Sequence, residues 1–327
     1  MEYELIATLG PSSDGEAMWQ AMLAAGVTAF RLNTSHLSVP QLHRWLGRLD
    51  TFLSTMERRP RLVLDLQGSK WRLGDFVAFE LEDGQSVELV CAASADRLHV
   101  LPVPHPDFFQ AAPASSGEIV LNDARVCLRI ESLDSASISA RVTRSGEISS
   151  RKGITFTASE YRRESLNDQD RAIVARTSHL DFVHYALSYV RDAIEMARYR
   201  ACLGPSARLI AKLERKPAVQ DAIGIAESAD ELWLCRGDLG AEMGARAMAK
   251  AVYQFSDEVR VLPRPVLLAG QVLEHMVEHP IPTRSEVCYL HDALNKGYRG
   301  LVLSDETAIG RYPVESCHVA ALFRQVA

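Results

Sequence analysis

The stretch Leu209–Gly240 reads LIAKLERKPAVQDAIGIAESADELWLCRGDLG. It opens as an apolar run, passes through a segment with helical spacing, and returns to a second apolar run that ends in Arg236-Gly237-Asp238. Apolar residues in short runs read as strands. Apolar residues at i, i+3 and i+4 read as a helix between them. A strand, a helix and a strand in this order form one parallel βα unit. The first run carries Lys212 and Glu214 two positions apart. Along a strand those positions share a face, so the two side chains point the same way. A Lys and a Glu taken out of water are costly unless paired or used. The plain alternative is a structural ion pair at a strand end.

Outward from this unit the pattern repeats. Eight apolar runs stand out: 4–10, 28–35, 61–68, 181–189, 208–214, 231–238, 265–271 and 300–306. Helical segments such as GEAMWQAMLAAG, SVPQLHRWLGRLDTFLSTM and RDAIEMARYRACLG lie between several of them. Eight βα units imply an α/β fold of the (β/α)8 barrel type. The third connection departs from the rule. Asp75–Ser149 alternates in the manner of β-strands (FVAFELEDGQSVELV, GEIVLND, VCLRIESLDSASISARV), with LPVPHPDF (101–108) as a Pro-rich loop. The expected organisation is a barrel from 1–73 and 151–327, with a small all-β domain, 74–150, inserted after strand three. A last helix, PVESCHVAALFRQVA, runs to the end of the sequence.

Composition narrows the class. The 327 residues are 47% hydrophobic and 24% charged, with net charge −6. This is ordinary globular composition, and it offers no electrostatic case for nucleic acid or an anionic membrane. No run reaches transmembrane length. MEYELIATLGPSS lacks a basic region followed by a long apolar core, so no secretory signal is expected. Six scattered Cys without a CxxC motif suit reduced thiols in a cytoplasm.

Barrels place their chemistry at the carboxyl ends of the strands. Here those ends carry Arg31, Asn33, Ser35 and His36; Asp65, Gln67 and Gly68; Ser188; Lys212 and Glu214; Arg236, Gly237 and Asp238; Gly270 and Gln271; and Ser304, Asp305, Glu306 and Thr307. Glu214 and Asp238 on neighbouring strands are oxygen donors suited to Mg²⁺ or Mn²⁺ with substrate oxygens completing the shell. Arg31, Arg72, Lys152 and Lys212 suit an anionic, phosphorylated substrate. The Gly237 amide can approach an anion closely. Lys212 is placed to stabilise charge during phosphoryl transfer.

The same residues carry a resemblance. ATLGPSS (7–13), RLNTSH (31–36), LDLQGSKWR (64–72), SSRKG (149–153), SYVRDA (188–193), IAKLE (210–214), RGDLG (236–240), GQVLEHM (270–276), PTRSEV (282–287) and LSDETAIGRYP (303–313) resemble, in order, the motifs of pyruvate kinase. The resemblance covers nearly the whole chain and implies a barrel with a β domain inserted after strand three. It implies Mg²⁺-dependent phosphoryl transfer between phosphoenolpyruvate and ADP, in a chain that is a possible homo-oligomer. It implies Lys212 and Arg31 at the phosphoryl group and Glu214 and Asp238 at the metal. Gly237, Asp238, Gly270 and Ser188 would bind substrate, and Asn33, His36, Arg72 and Lys152 would line the nucleotide and phosphate side. Ser304, Asp305 and Glu306 would form the rim. Local readings stand beside these: a capping role for His36, an ion pair for Arg72, and a helix start for Glu306-Thr307.

Departures from the family pattern are equally specific. Family members have Thr in an Ala-Thr-Gln segment where this chain has Gly270, and Gly where it has Asp305. Members that need K⁺ carry Glu at the position of Lys70, and commonly Thr at that of Leu66. A tethered ammonium at 70, beside Asn33, Ser35 and Asp65, would replace a monovalent cation, so no K⁺ requirement is expected. The chain ends at Ala327, so the family's C-terminal regulatory domain is expected to be absent. Two other functions fit the resemblance: metal-dependent work on a different enol phosphate or α-keto acid, by phosphotransfer or C–C cleavage, and non-catalytic sensing of a keto acid or nucleotide.

Overall fold

The computed structural model describes residues 1–115, 117–122, 125–134, 136–157 and 166–324. Asp123 and Ser135 of the alternating runs, and 325–327 of the last expected helix, lie outside the described residues. The chain divides into two compact units.

The first unit comprises Met1–Gly68, Leu166–Arg236 and Ala251–Ala327. It is a closed barrel of eight parallel strands: β1 (Glu4–Leu9), β2 (Ala29–Asn33), β3 (Arg61–Leu66), β4 (Val183–Leu187), β5 (Arg208–Leu213), β6 (Glu231–Cys235), β7 (Val266–Ala269) and β8 (Gly300–Leu303). Each strand pairs with its sequence neighbours, and β8 closes on β1 through Glu4↔Gly300 to Ala7↔Leu303. All eight coincide with the apolar runs in the sequence. The strands are buried almost end to end, because the barrel interior covers one face and the helices the other. One layer of the interior is filled by Ile6, Ala29, Val63, Ala186, Ile210, Trp233, Leu267 and Val302, one residue from each strand. Small Ala29 and Ala186 leave room for Trp233.

Local chemistry sets the helices. Before Val39–Ser54, the Ser38 amide donates to Gln41 Oε1 at 2.8 Å, and the Gln41 amide donates to Ser38 Oγ. This reciprocal cap satisfies two otherwise unpaired amides. Thr283 and Glu286 repeat it before Arg284–Lys296. The last helix runs Pro313–Ala320.

The second unit comprises Ser69–Ser165 and Gly237–Lys250. Its main sheet orders Ile154–Phe156, Glu118–Leu121, Val126–Leu133, Ser137–Arg144, Ser86–Val90 and Val100–Pro102. A two-stranded ribbon joins Phe79–Leu81 to Gly146–Ile148. Two expectations need correcting. The boundaries 73/74 and 150/151 fall elsewhere, because Trp71, Leu73, Ile154 and Phe156 bury into this unit's core with Phe108. Trp71 meets Phe108 and Phe156 edge-on, geometry that adds to the area buried. LPVPHPDF is no loop either. Val100–Pro102 pairs parallel to Ser86–Val90, and a short helix, Pro106–Ala111, follows with Pro at its first position. Leu101, Val103 and Phe108 are fully buried, which draws this segment inward.

Candidate active site

Two residues beyond the apolar layer, the same strands change character. Ile6 leads to Thr8, Ala29 to Arg31, Val63 to Asp65, Ala186 to Ser188 and Ile210 to Lys212. Alternation along each strand keeps these side chains on the inner face, so the barrel interior turns from apolar to charged in one step. Arg31 donates to Asp65 through Nε and through an amino nitrogen, at 2.8 and 2.5 Å, and to Thr8 Oγ1 at 2.7 Å. Lys212 Nζ lies 2.8 Å from Glu214 Oε1, 3.0 Å from Asp65 Oδ2 and 3.0 Å from Ser188 Oγ. Ser188 Oγ also approaches Asp65 Oδ1 and the Leu66 carbonyl. The Tyr189 amide donates to Glu214 Oε2 at 2.8 Å, from a residue held at φ 60.

Two cations and two carboxylates are thus buried together with balanced charge. Burial alone disfavours every charged form here. For Asp65 it is overcome by Lys212 and Arg31, which hold the carboxyl well below its usual range. Burial likewise works against the Lys212 ammonium, and Asp65 and Glu214 more than reverse it. Asp65 and Glu214 also raise Arg31 against its burial. Asp65, Lys212 and Arg31 stay ionised across the physiological range.

Backbone geometry around the cluster is shaped by glycine and by buried acids. Gly68 has φ +57, and a Cβ there would sit 2.4 Å from the Ser188 carbonyl oxygen, so only glycine lets the end of β3 lie this close to the end of β4. Asp170, buried on the helix Asp168–Thr177, accepts from the Gln67 and Gly68 amides at 3.1 and 2.9 Å. Its burial pushes the carboxyl up to about 6, against the pull of those amides.

Gly270 (φ +79) and Gln271 (φ +53) both follow β7 in left-handed conformations. Arg236 donates to the carbonyls of both, and its guanidinium lies over the Tyr289 ring.

The family-model comparison matches residues 2–317 to the pyruvate kinase barrel domain. The chain belongs to the pyruvate kinase family. Pyruvate kinase of Methylorubrum extorquens is 31% identical over 315 residues, covering 96% of this chain and 66% of the relative. Those of Agrobacterium vitis and Aeropyrum pernix are each 31% identical, over 322 and 318 residues, covering 97% and 96% of this chain and 67% and 68% of the relatives. The chain therefore spans about two thirds of the length of these pyruvate kinases.

Of the residues that resemble pyruvate kinase motifs, the barrel brings Arg31, Asp65, Ser188, Lys212 and Glu214 into one hydrogen-bonded cluster. Asn33 caps the turn that follows β2, accepting from the Ser35 amide. Among the described residues Ser35 Oγ has no hydrogen-bond partner, though it is buried, and His36 is exposed on the same turn. Leu66 is fully buried. Glu306 is 1% exposed in the first turn of a short helix, Asp305–Ala308, and accepts from the Leu273 and Ser304 amides, tying the ends of β7 and β8 together. Burial raises its carboxyl's pKa. Ser304 and Asp305 are half-buried beside it, and Thr307 Oγ1 donates to the Thr8 carbonyl. A Cβ at Gly237 would meet open space.

In the second unit, Arg72 donates to the Arg151 carbonyl, and the Lys152 carbonyl accepts from the Leu73 amide. Within this unit Lys70 Nζ clasps Asp238 Oδ1 and Oδ2 at 2.6 and 2.7 Å.

Thr8, Asp170 and Tyr189 were missed in the sequence. Thr8 could have been found, since it follows Ile6 by two at a strand end. Nothing local marks Asp170, whose partners lie about a hundred residues away. A second polar cluster, Arg61 with Glu4, Glu231 and His184, was also missed. It lies at the opposite ends of the strands, where barrels use charge for stability.

Proposed function

We propose that this chain catalyses phosphoryl transfer between phosphoenolpyruvate and ADP. The observation that carries the reading is the buried Arg31–Asp65–Lys212–Glu214 cluster at the carboxyl ends of β2, β3 and β5, in a barrel of this family. A phosphoryl group in flight carries charge on its peripheral oxygens, and fixed buried cations stabilise it without reorganisation. Lys212 is the group assigned to that charge, with Arg31 orienting the phosphoryl oxygens. Asp65 and Ser188 hold both cations in place.

The cluster is neutral by itself, so a multiply anionic substrate needs further positive charge. Glu214 and Asp238 offer hard carboxylate oxygens of the kind Mg²⁺ or Mn²⁺ prefers, and they are the residues assigned to hold it. When bound, the metal supplies Lewis-acid stabilisation of substrate oxygens. Among the described residues no three His, Cys, Asp or Glu side chains gather as a metal site.

The backbone amides of Gly237 and Asp238 are assigned to the substrate carboxylate. Asn33, His36, Arg72 and Lys152 are assigned to the nucleotide and phosphate side. We assign no K⁺ requirement, since Asp65 is charge-matched by Arg31 and Lys212. Among the described residues no disulfide joins any of the six cysteines, and Cys91, Cys202 and Cys288 are exposed. No helix among the described residues is long and apolar enough to cross a membrane.

A second reading keeps the phosphotransfer and changes the enol substrate. Gly270 favours it, because a left-handed glycine stands where the family has a hydroxyl. The test is a coupled assay of pyruvate formation from phosphoenolpyruvate, ADP and Mg²⁺, run beside other enol phosphates and α-keto acids. Turnover of phosphoenolpyruvate is expected. Turnover confined to another substrate would establish the second reading, and none with any would overturn both.

A further inference from the structure

Lys70 is 9% exposed, and its ammonium holds both carboxylate oxygens of Asp238. A charge-assisted pair at these distances is strong and directional. Both oxygens offered to a cation are already facing one.

The arrangement is built by the backbone around Gly153. The Ile154 amide donates to the Trp71 carbonyl at 3.1 Å, and the Leu73 amide to the Lys152 carbonyl at 2.9 Å. Gly153 is therefore pinned on both sides, against the segment that carries Lys70. Its missing side chain leaves the space the lysine stem uses. A Cβ at 153 would lie 2.8 Å from Lys70 Cε and 3.3 Å from Nζ. Gly153 has no left-handed φ to explain a glycine there. The close approach of Lys70 is the structural reason for it.

The geometry points to Lys70 as a tethered competitor of the divalent metal on Asp238. Metal binding then requires the ammonium to leave the carboxylate, and Lys70 sets how weakly the chain holds metal before substrate arrives. This rests on the reading of Asp238 as a metal ligand. It differs from a monovalent-cation substitute, which would support the metal rather than oppose it.

The test is direct Mn²⁺ binding to the full chain without substrates, measured by the paramagnetic resonance signal of free Mn²⁺. The variants are Lys70→Met, Gly153→Ala and Asp238→Asn. Lys70→Met removes the competing charge and keeps the stem length. Gly153→Ala keeps every charge but displaces the ammonium, since the flexible lysine end yields more easily than the pinned backbone.

Both are expected to tighten Mn²⁺ binding by about tenfold or more, the scale of a unit charge moved at contact distance in a partly buried site. Asp238→Asn is expected to weaken it. If Asp238→Asn weakens binding while the other two leave it unchanged or weaker, Lys70 does not compete and only the inference falls. If Asp238→Asn binds as the wild type does, the metal assignment falls and takes the inference with it. Should Lys70→Met not fold, Gly153→Ala decides alone, because it adds one methyl group and leaves the ion pair's charges in place.

Discussion

Lys212→Met separates catalysis from structure in the barrel cluster. Lys212 is 7% exposed and meets Glu214, Asp65 and Ser188 within 3.0 Å. Removing it leaves two buried carboxylates with Arg31 as the remaining cation of the quartet. Breaking a buried pair from one side costs about 3–5 kcal/mol, a large part of a stability of about 5–15 kcal/mol, but one a folded chain survives. Turnover should fall by about 10²–10³, or about 3–4 kcal/mol of transition-state stabilisation, the scale of one fixed donor. Adding Asp65→Asn to this variant restores the balance of one cation, Arg31, to one carboxylate, Glu214. Stability should then recover by about 2 kcal/mol, since neighbours in one network are not additive. Turnover should stay low, because the charge at the phosphoryl group is still missing. The assays are denaturant unfolding followed by tryptophan fluorescence, and pyruvate release under saturating phosphoenolpyruvate, ADP and Mg²⁺. Turnover that recovers together with stability would show that Lys212 acts only as a structural counter-charge.

Three further outcomes follow from the same geometry. Asp238→Ala should abolish Mg²⁺-dependent turnover while the far-ultraviolet circular dichroism stays that of the wild type; wild-type turnover would remove Asp238 from the metal. Turnover should persist in tetramethylammonium buffer free of Na⁺ and K⁺, and strong activation by added K⁺ would sink the cation-independent reading. Asp170, raised to about 6 from 3.8, binds more protons folded than unfolded between those values. Its contribution to stability is full below about pH 4 and is lost as pH rises through about 6, by up to about 3 kcal/mol. Asp170→Asn should flatten that part of the stability profile, and an unchanged profile would mean that Asp170 is not the group that titrates.

The fold was legible because each barrel strand is a short apolar run, and the helices between several of them repeat at helical spacing. Both periods are local properties of a chain. The position of the buried polar cluster was legible for the same reason. Thr8, Arg31, Asp65, Ser188 and Lys212 each follow a core residue by two, and alternation alone puts them on the inner face. The shared face of Lys212 and Glu214 follows from the same spacing, and the two side chains do meet at 2.8 Å. Partner choice was not legible. That Lys70 pairs with Asp238 depends on which carboxylate the folded backbone brings near it, and Asp238 lies 168 residues along the chain. Glu306 reads as a rim acid in a polar motif, and the backbone turns it to bind the amides of Leu273 and Ser304. Trp71 reads as part of a barrel motif, yet its ring buries against Phe108 and Phe156. Spacing determines which face a side chain takes. Only the packed chain decides what that face meets, because an ion pair or a ring contact forms wherever burial, distance and charge agree, however many residues separate the partners.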